Sequence, residues 1–260
     1  MVLFHREYGS GFPLVILHGL FGAGSDWRTV AQKLSPRFRV ICPDLRNHGN
    51  SPHDPFMDFT TMAQDVLETM DRLSAAGAHL LGHSLGGKVA LTAMTLRPGR
   101  FGAVVLADMV HRRLPPMHTG LLETLAACDP ARFPNRIRFH QALAPAIPDE
   151  AVRTFLLKSL RQRPEGGLAW KFNLPALAGN YFRLGDAVAL QADERREMLV
   201  IRGGRSDLVT DDGVEELRRF FPRLQQALIA DAGHWVHADG RDDFVGIMAD
   251  YLAPRSERVV

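Results

Sequence analysis

Gly82-His83-Ser84-Leu85-Gly86 sets a serine between two glycines. A serine presented on a sharp strand-to-helix turn needs glycine on both sides, because larger residues would clash there. Ala78–Leu81 before it reads as a strand and Lys88–Leu91 after it as a helix. Ser84 is therefore the expected nucleophile. The competing reading is a glycine-rich turn of a nucleotide-binding fold. It lacks both a G-x-G-x-x-G run and a P-loop lysine.

A serine hydroxyl is a weak nucleophile until a base takes its proton. Ala232-Gly233-His234-Trp235 follows the last expected strand, so His234 is the expected base. His237, a little further on, is expected at the surface or behind His234. A carboxylate must then fix the imidazole tautomer. Two aspartates stand at strand ends: Asp207 in the loop after Met198–Arg202, and Asp108 at the end of Phe101–Asp108. Whichever is not used is expected to cap a loop. Acyl transfer also needs two backbone N–H donors for the developing oxyanion. Leu85 supplies one, and Leu20 in His18-Gly19-Leu20-Phe21-Gly22 the other, with Phe21 as the alternative. His18 is expected to brace this loop by hydrogen bonding. The default for His5, His53, His79, His111, His118 and His140 is solvent exposure.

Those residues need a scaffold. Val2–Tyr8 and Pro13–His18 read as strands joined by a hairpin-like Gly9-Ser10-Gly11 turn. Arg37–Cys42, Ala78–His83, Phe101–Asp108, Met198–Arg202 and Leu224–Ala230 read as further strands. Helical spacing marks Ser25–Leu34, Thr60–Leu73, Leu85–Leu96, Asp211–Phe221 and Asp243–Leu252. Strands alternating with helices imply βαβ units and a mostly parallel sheet, an α/β fold. The stretch 110–195 breaks the alternation. It carries eight prolines and no convincing strand. It reads as a helical cap inserted between two core segments, 1–109 and 196–260, over the sheet edge where such folds place their sites.

The 260 residues carry a formal net charge of +2 and are 46% hydrophobic, which suits a globular chain and argues against disorder. A near-zero balance gives no support to a nucleic-acid partner. Cys42 and Cys128 lie in no ligand or disulfide spacing, so no metal is expected. No leader-like start or membrane-length apolar run is seen, and a cytoplasmic protein without a membrane partner is expected. Whether it is a monomer or a homodimer stays open.

Four motifs together resemble the α/β-hydrolase fold, and within it small abhydrolase-type bacterial esterases. They are Asp44-Leu-Arg-Asn-His-Gly-Asn-Ser51-Pro52, Gly82-His-Ser-Leu-Gly-Gly-Lys88, Trp170-Lys-Phe-Asn173 and Ala232-Gly-His-Trp-Val-His-Ala238. The Asp44–Pro52 loop is expected to hold a tight turn near the sheet edge, and Trp170–Asn173 to pack under the cap. The resemblance implies a serine hydrolase that needs no cofactor and takes small-molecule carboxylic esters of short or medium acyl chains. Thioesters, perhydrolysis and C–C bond cleavage are open to the same machinery, and a non-catalytic ligand receptor is the alternative of another class. The close family places its acid at Asp108, and the wider fold at Asp207. Both stay open, with Asp207 put first. Phe21, Trp170 and Phe172 are candidates for an acyl pocket, with Phe133, Phe139 and Phe155 as further cap aromatics.

Overall fold

The computed structural model describes residues 1–256. β1 (His5–Tyr8) and β2 (Phe12–Leu17) do not pair with each other, contrary to the hairpin expectation. β3 (Phe38–Pro43) lies between them, parallel to β2 and antiparallel to β1. The crossover through α1 (Arg28–Leu34) brings β3 back alongside β2. That claims the edge a hairpin partner would have used, and β1 adds outside it.

α2 (Phe59–Arg72) buries Met62, Val66 and Met70 on one face. Asp58 caps it by accepting the Thr61 N–H at 2.7 Å. β4 (His79–His83), α3 (Leu85–Leu96) and β5 (Val104–Ala107) follow. The chain then leaves the core for α4 (Thr119–Ala127), α5 (Arg136–Leu143) and α6 (Glu150–Lys158). A hairpin of β6 (Leu160–Gln162) and β7 (Leu168–Trp170) comes next, then α7 (Leu174–Leu184). This hairpin corrects the expectation of no strand in the segment. Each arm has three residues, too short for alternation to show, and Gly166 and Gly167 turn the chain between them. β8 (Met198–Gly203), α8 (Asp211–Phe220), β9 (Leu224–Ile229), α9 (Val236–Asp239) and α10 (Arg241–Ser256) complete the core. Among the described residues, no helix is long and apolar enough to cross a membrane.

The main sheet has seven strands in the order β1-β3-β2-β4-β5-β8-β9. Only β1 runs antiparallel to its neighbour. The inner strands are apolar almost throughout because both faces are covered, whereas the edge strands β1 and β9 carry exposed polar residues. Val15, Leu80, Leu106 and Val200 pack with residues of α2, α3 and α8. Leu14, Leu81, Val105 and Ile201 pack on the other side with residues of α1 and α10.

Between β4 and α3 the chain turns with backbone against backbone. A Cβ on Gly82 would lie 2.3 Å from the Gly86 carbonyl oxygen, and one on Gly86 2.4 Å from that of Leu17. The segment inserted after β5 is tied down at several points. Buried Lys88 on α3 donates from Nζ to the carbonyls of Gly185 (3.0 Å) and Asp186 (2.6 Å) at the end of α7. Burial pulls its pKa down to about 8, with Asp186 opposing. The Asn173 N–H donates to the Asn47 carbonyl at 2.8 Å, so two of the four motifs meet. The Ser159 hydroxyl donates to the Phe21 carbonyl.

Neutral histidines hold the loops at the sheet edge. His18 donates from Nδ1 to the Gly19 carbonyl and accepts the Leu45 N–H at Nε2. His48 donates from Nδ1 to the Arg46 carbonyl and accepts the Phe21 N–H at Nε2. Each ring uses one donor and one acceptor, which requires the uncharged form. His79 accepts the Ala103 N–H at Nδ1. His79 and His111 are buried, which corrects their expected exposure. Burial lowers the pKa of His18 and His79 to about 4 and that of His48 to about 3.

Two outcomes follow from this framework. An unfolded histidine takes a proton near pH 6.5, whereas these rings stay neutral until about pH 4 or below. The unfolded state therefore binds more protons in that interval. Stability is intact above pH 6.5 and falls as the pH drops from 6.5 towards 4. Urea midpoints measured across this range check it, and a flat profile contradicts it. Gly86→Ala forces a methyl into the Leu17 carbonyl. It is expected to cost about 3 kcal/mol of unfolding free energy, read by urea titration.

Candidate active site

Ser84 sits between β4 and α3 with φ 53 and ψ −120. A residue with a side chain pays about 1–3 kcal/mol to be held in such a region. The side chain lines a cavity of about 160 Å³. The same cavity is lined by His83, His234 and the Gly19–Phe21 loop from the core, and by His118, Leu121, Val152 and Phe155 from the inserted segment.

His234 arrives on the loop after β9. Its Nδ1–H donates to Asp108 Oδ2 at 2.7 Å. In the neutral ring this leaves Nε2 free to accept a proton, as a general base requires. Asp108 is fully buried just beyond β5, at φ 48. Its Oδ1 accepts the Gly203 N–H at 3.2 Å, and its Oδ2 also accepts the Ser206 hydroxyl. A buried carboxylate needs such donors in place of water.

The preference for Asp207 is corrected here. Asp207 is exposed, one residue past Ser206 on the loop after β8. Ser206 turns inward and contacts Asp108, while Asp207 faces solvent. Because β5 lies between β4 and β8, the end of β5 is next to both the serine turn and the β8 loop. A carboxylate there reaches His234 without a long loop.

The backbone N–H groups of Leu20 and Leu85 meet no acceptor among the described residues. The alternative donor Phe21 is corrected, since its N–H is already given to His48 Nε2 at 3.2 Å. Phe21 has φ 64, and its ring lines the cavity. Trp170 and Phe172 do not line it, which corrects two of the three acyl-pocket candidates. They stack on each other at 4.7 Å, and Phe172 packs on Phe21 at 5.1 Å, one layer behind the wall. Phe139 joins that layer between Phe133 and Trp170. Phe155 does line the cavity, against Trp235 at 5.3 Å.

Several residues at the site carried no expectation or the wrong one. His83 donates from Nε2 to the His234 carbonyl at 2.9 Å. Of the two places left open for His237 the surface is excluded: it is buried and stacks on Trp27 at 4.0 Å. Its burial pushes its pKa down to about 3. His118 is half-buried, with Nδ1 2.9 Å from the Tyr181 hydroxyl. The place of His83 inside the serine motif was a signal in the sequence. For Ser206, His48 and His118 the signal is only tertiary.

The comparisons with known proteins point to one family. The model of the alpha/beta hydrolase fold family matches residues 13–241. The chain is 32% identical over 244 residues to esterase YbfF of Escherichia coli, covering 92% of each chain. It is 31% identical over 255 residues to the sn-1-specific diacylglycerol lipase ABHD11 of Danio rerio, covering 95% of this chain and 80% of that one. Among solved structures, a marine microorganism esterase superposes with a TM-score of 0.93 at 30% identity, covering 96% of this chain and 99% of that one. With the serine turn, the His234 contact to buried Asp108 and a family match over most of its length, the chain belongs to the alpha/beta-hydrolase fold family.

Proposed function

We propose that the protein hydrolyses carboxylic esters of short or medium acyl chains through an acyl-enzyme on Ser84. The observation that carries this reading is the 2.7 Å His234–Asp108 contact beside a serine held at positive φ in the same cavity. The named activities of its relatives, esterase and lipase, support the ester class.

Ser84 Oγ attacks the ester carbonyl carbon as His234 Nε2 takes the hydroxyl proton. Asp108 holds the imidazole in the productive tautomer and stabilises the cation that forms. The oxyanion is met by the N–H groups of Leu20 and Leu85, donors worth on the order of 10²–10³ in rate each. Collapse expels the alcohol, which takes the proton from His234. Water then attacks the acyl-enzyme by the same route in reverse. The segment 110–195 acts as the cap, and Leu121, Val152 and Phe155 give the acyl chain apolar walls. The cavity of about 160 Å³ suits a small acyl group.

A fluorophosphonate probe is expected to label Ser84, and Ser84→Ala to abolish both labelling and turnover. Absence of an adduct in the unaltered protein would sink the hydrolase reading. Asp108→Asn should lower kcat by about 10³–10⁴, while Asp207→Asn stays within about twofold. A panel of p-nitrophenyl esters and acyl-CoA thioesters should show best turnover with short or medium oxygen esters. Preference for long chains contradicts the small-substrate assignment.

A further inference from the structure

We infer that His83 is a positioning residue that fixes the base loop to the nucleophile turn through one imidazole, an inference that rests on the hydrolase reading above. His83 lies between Gly82 and Ser84, so its backbone is part of the serine turn. Its Nε2 is 2.9 Å from the His234 carbonyl oxygen. A carbonyl can only accept, so Nε2 carries the proton and Nδ1 does not. The bare Nδ1 faces the oxyanion loop. A Cβ on Gly19 would lie 3.0 Å from it and 3.2 Å from Ser84 Cβ. One ring therefore touches all three loops that must be in register for acyl transfer.

The arrangement complements the aspartate contact. Asp108 fixes the rotation of the His234 ring through Nδ1, and His83 fixes the backbone that carries the ring. The two rings lie 4.7 Å apart, and His237 closes the other side of His83 at 4.8 Å. Trp27 lies edge-on to His83 at 6.1 Å. A positive charge on His83 would oppose the imidazolium that forms on His234 during turnover. Burial, with His234, His237 and His18 nearby, holds the His83 pKa well below the ordinary histidine value. The ring remains an uncharged strut while its neighbour cycles.

The test pairs two substitutions with one measurement on the unaltered protein. His83→Phe keeps a ring but removes the donor. His83→Gln keeps an uncharged N–H able to reach the same carbonyl. His83→Phe is expected to lower kcat by about 10–100-fold, the scale of a small misplacement of reacting groups. KM should be unchanged, and fluorophosphonate labelling of Ser84 should slow in parallel. His83→Gln should recover most of the loss. Nitrogen-15 NMR of histidine-labelled, unaltered protein should show His83 neutral and protonated at Nε2 at and below the pH where an ordinary histidine is half charged, whether or not the Phe variant folds. The inference is overturned by wild-type kcat in His83→Phe, by equal losses in the two variants, or by a charged or Nδ1-protonated ring. A failure of the hydrolase reading is distinguishable, because there the unaltered protein itself is not labelled.

Discussion

Backbone-to-backbone contact at the serine turn is the constraint on which the site depends. Gly82 and Gly86 let β4 and α3 close so tightly that Ser84 is left at φ 53, with its side chain turned into the cavity. That conformation costs energy locally and persists only because its surroundings over-determine it. The means are visible on both sides. β4 lies between β2 and β5 with its faces covered, and α3 is buried along most of its length. The other active groups are arranged around this fixed point. Asp108 comes from the adjacent strand, and the Gly19–Phe21 loop from the strand on the opposite side.

The second feature is that the loops around Ser84 are joined by uncharged rings. His18, His48 and His83 each bridge backbone groups from segments distant in sequence, and burial keeps each neutral. An ionic bridge in the same places would put fixed charge around His234, the proposed base, which in that role must itself gain and lose a proton. A neutral imidazole gives directed donors and acceptors without altering that field. The corresponding weakness is acid, since a proton on His18 or His48 would remove the acceptor that holds Leu45 or Phe21.

What could be read from the sequence was what depends on short stretches of chain. The helix Leu85–Leu96 was legible to the residue, and the parallel strands were within a few residues of their observed ends, because apolar runs and breakers are local. Pairing was less legible. The Gly9–Gly11 turn resembles a hairpin, yet β3 separates the two strands, and only the α1 crossover decides that. Asp108 and Asp207 look alike as strand-end carboxylates. What separates them is the positive φ at Asp108 and the inward turn of Ser206, neither of which has a compositional mark. Trp170 and Phe172 lie in the segment between β5 and β8, but aromatic content does not say which ring faces a cavity and which stacks behind it.

Lys88 carries one more consequence. Its ammonium joins α3 to the segment between β5 and β8 by way of two main-chain carbonyls, those of Gly185 and Asp186. The tie therefore asks nothing of the side chains at the end of α7 except that the helix stop there with its carbonyls exposed. The side chains at 185 and 186 can change without loosening this one tie, whereas the ties made by Ser159 and Asn173 do depend on side-chain identity. At this junction the attachment is written in the helix end and not in the residues that end it.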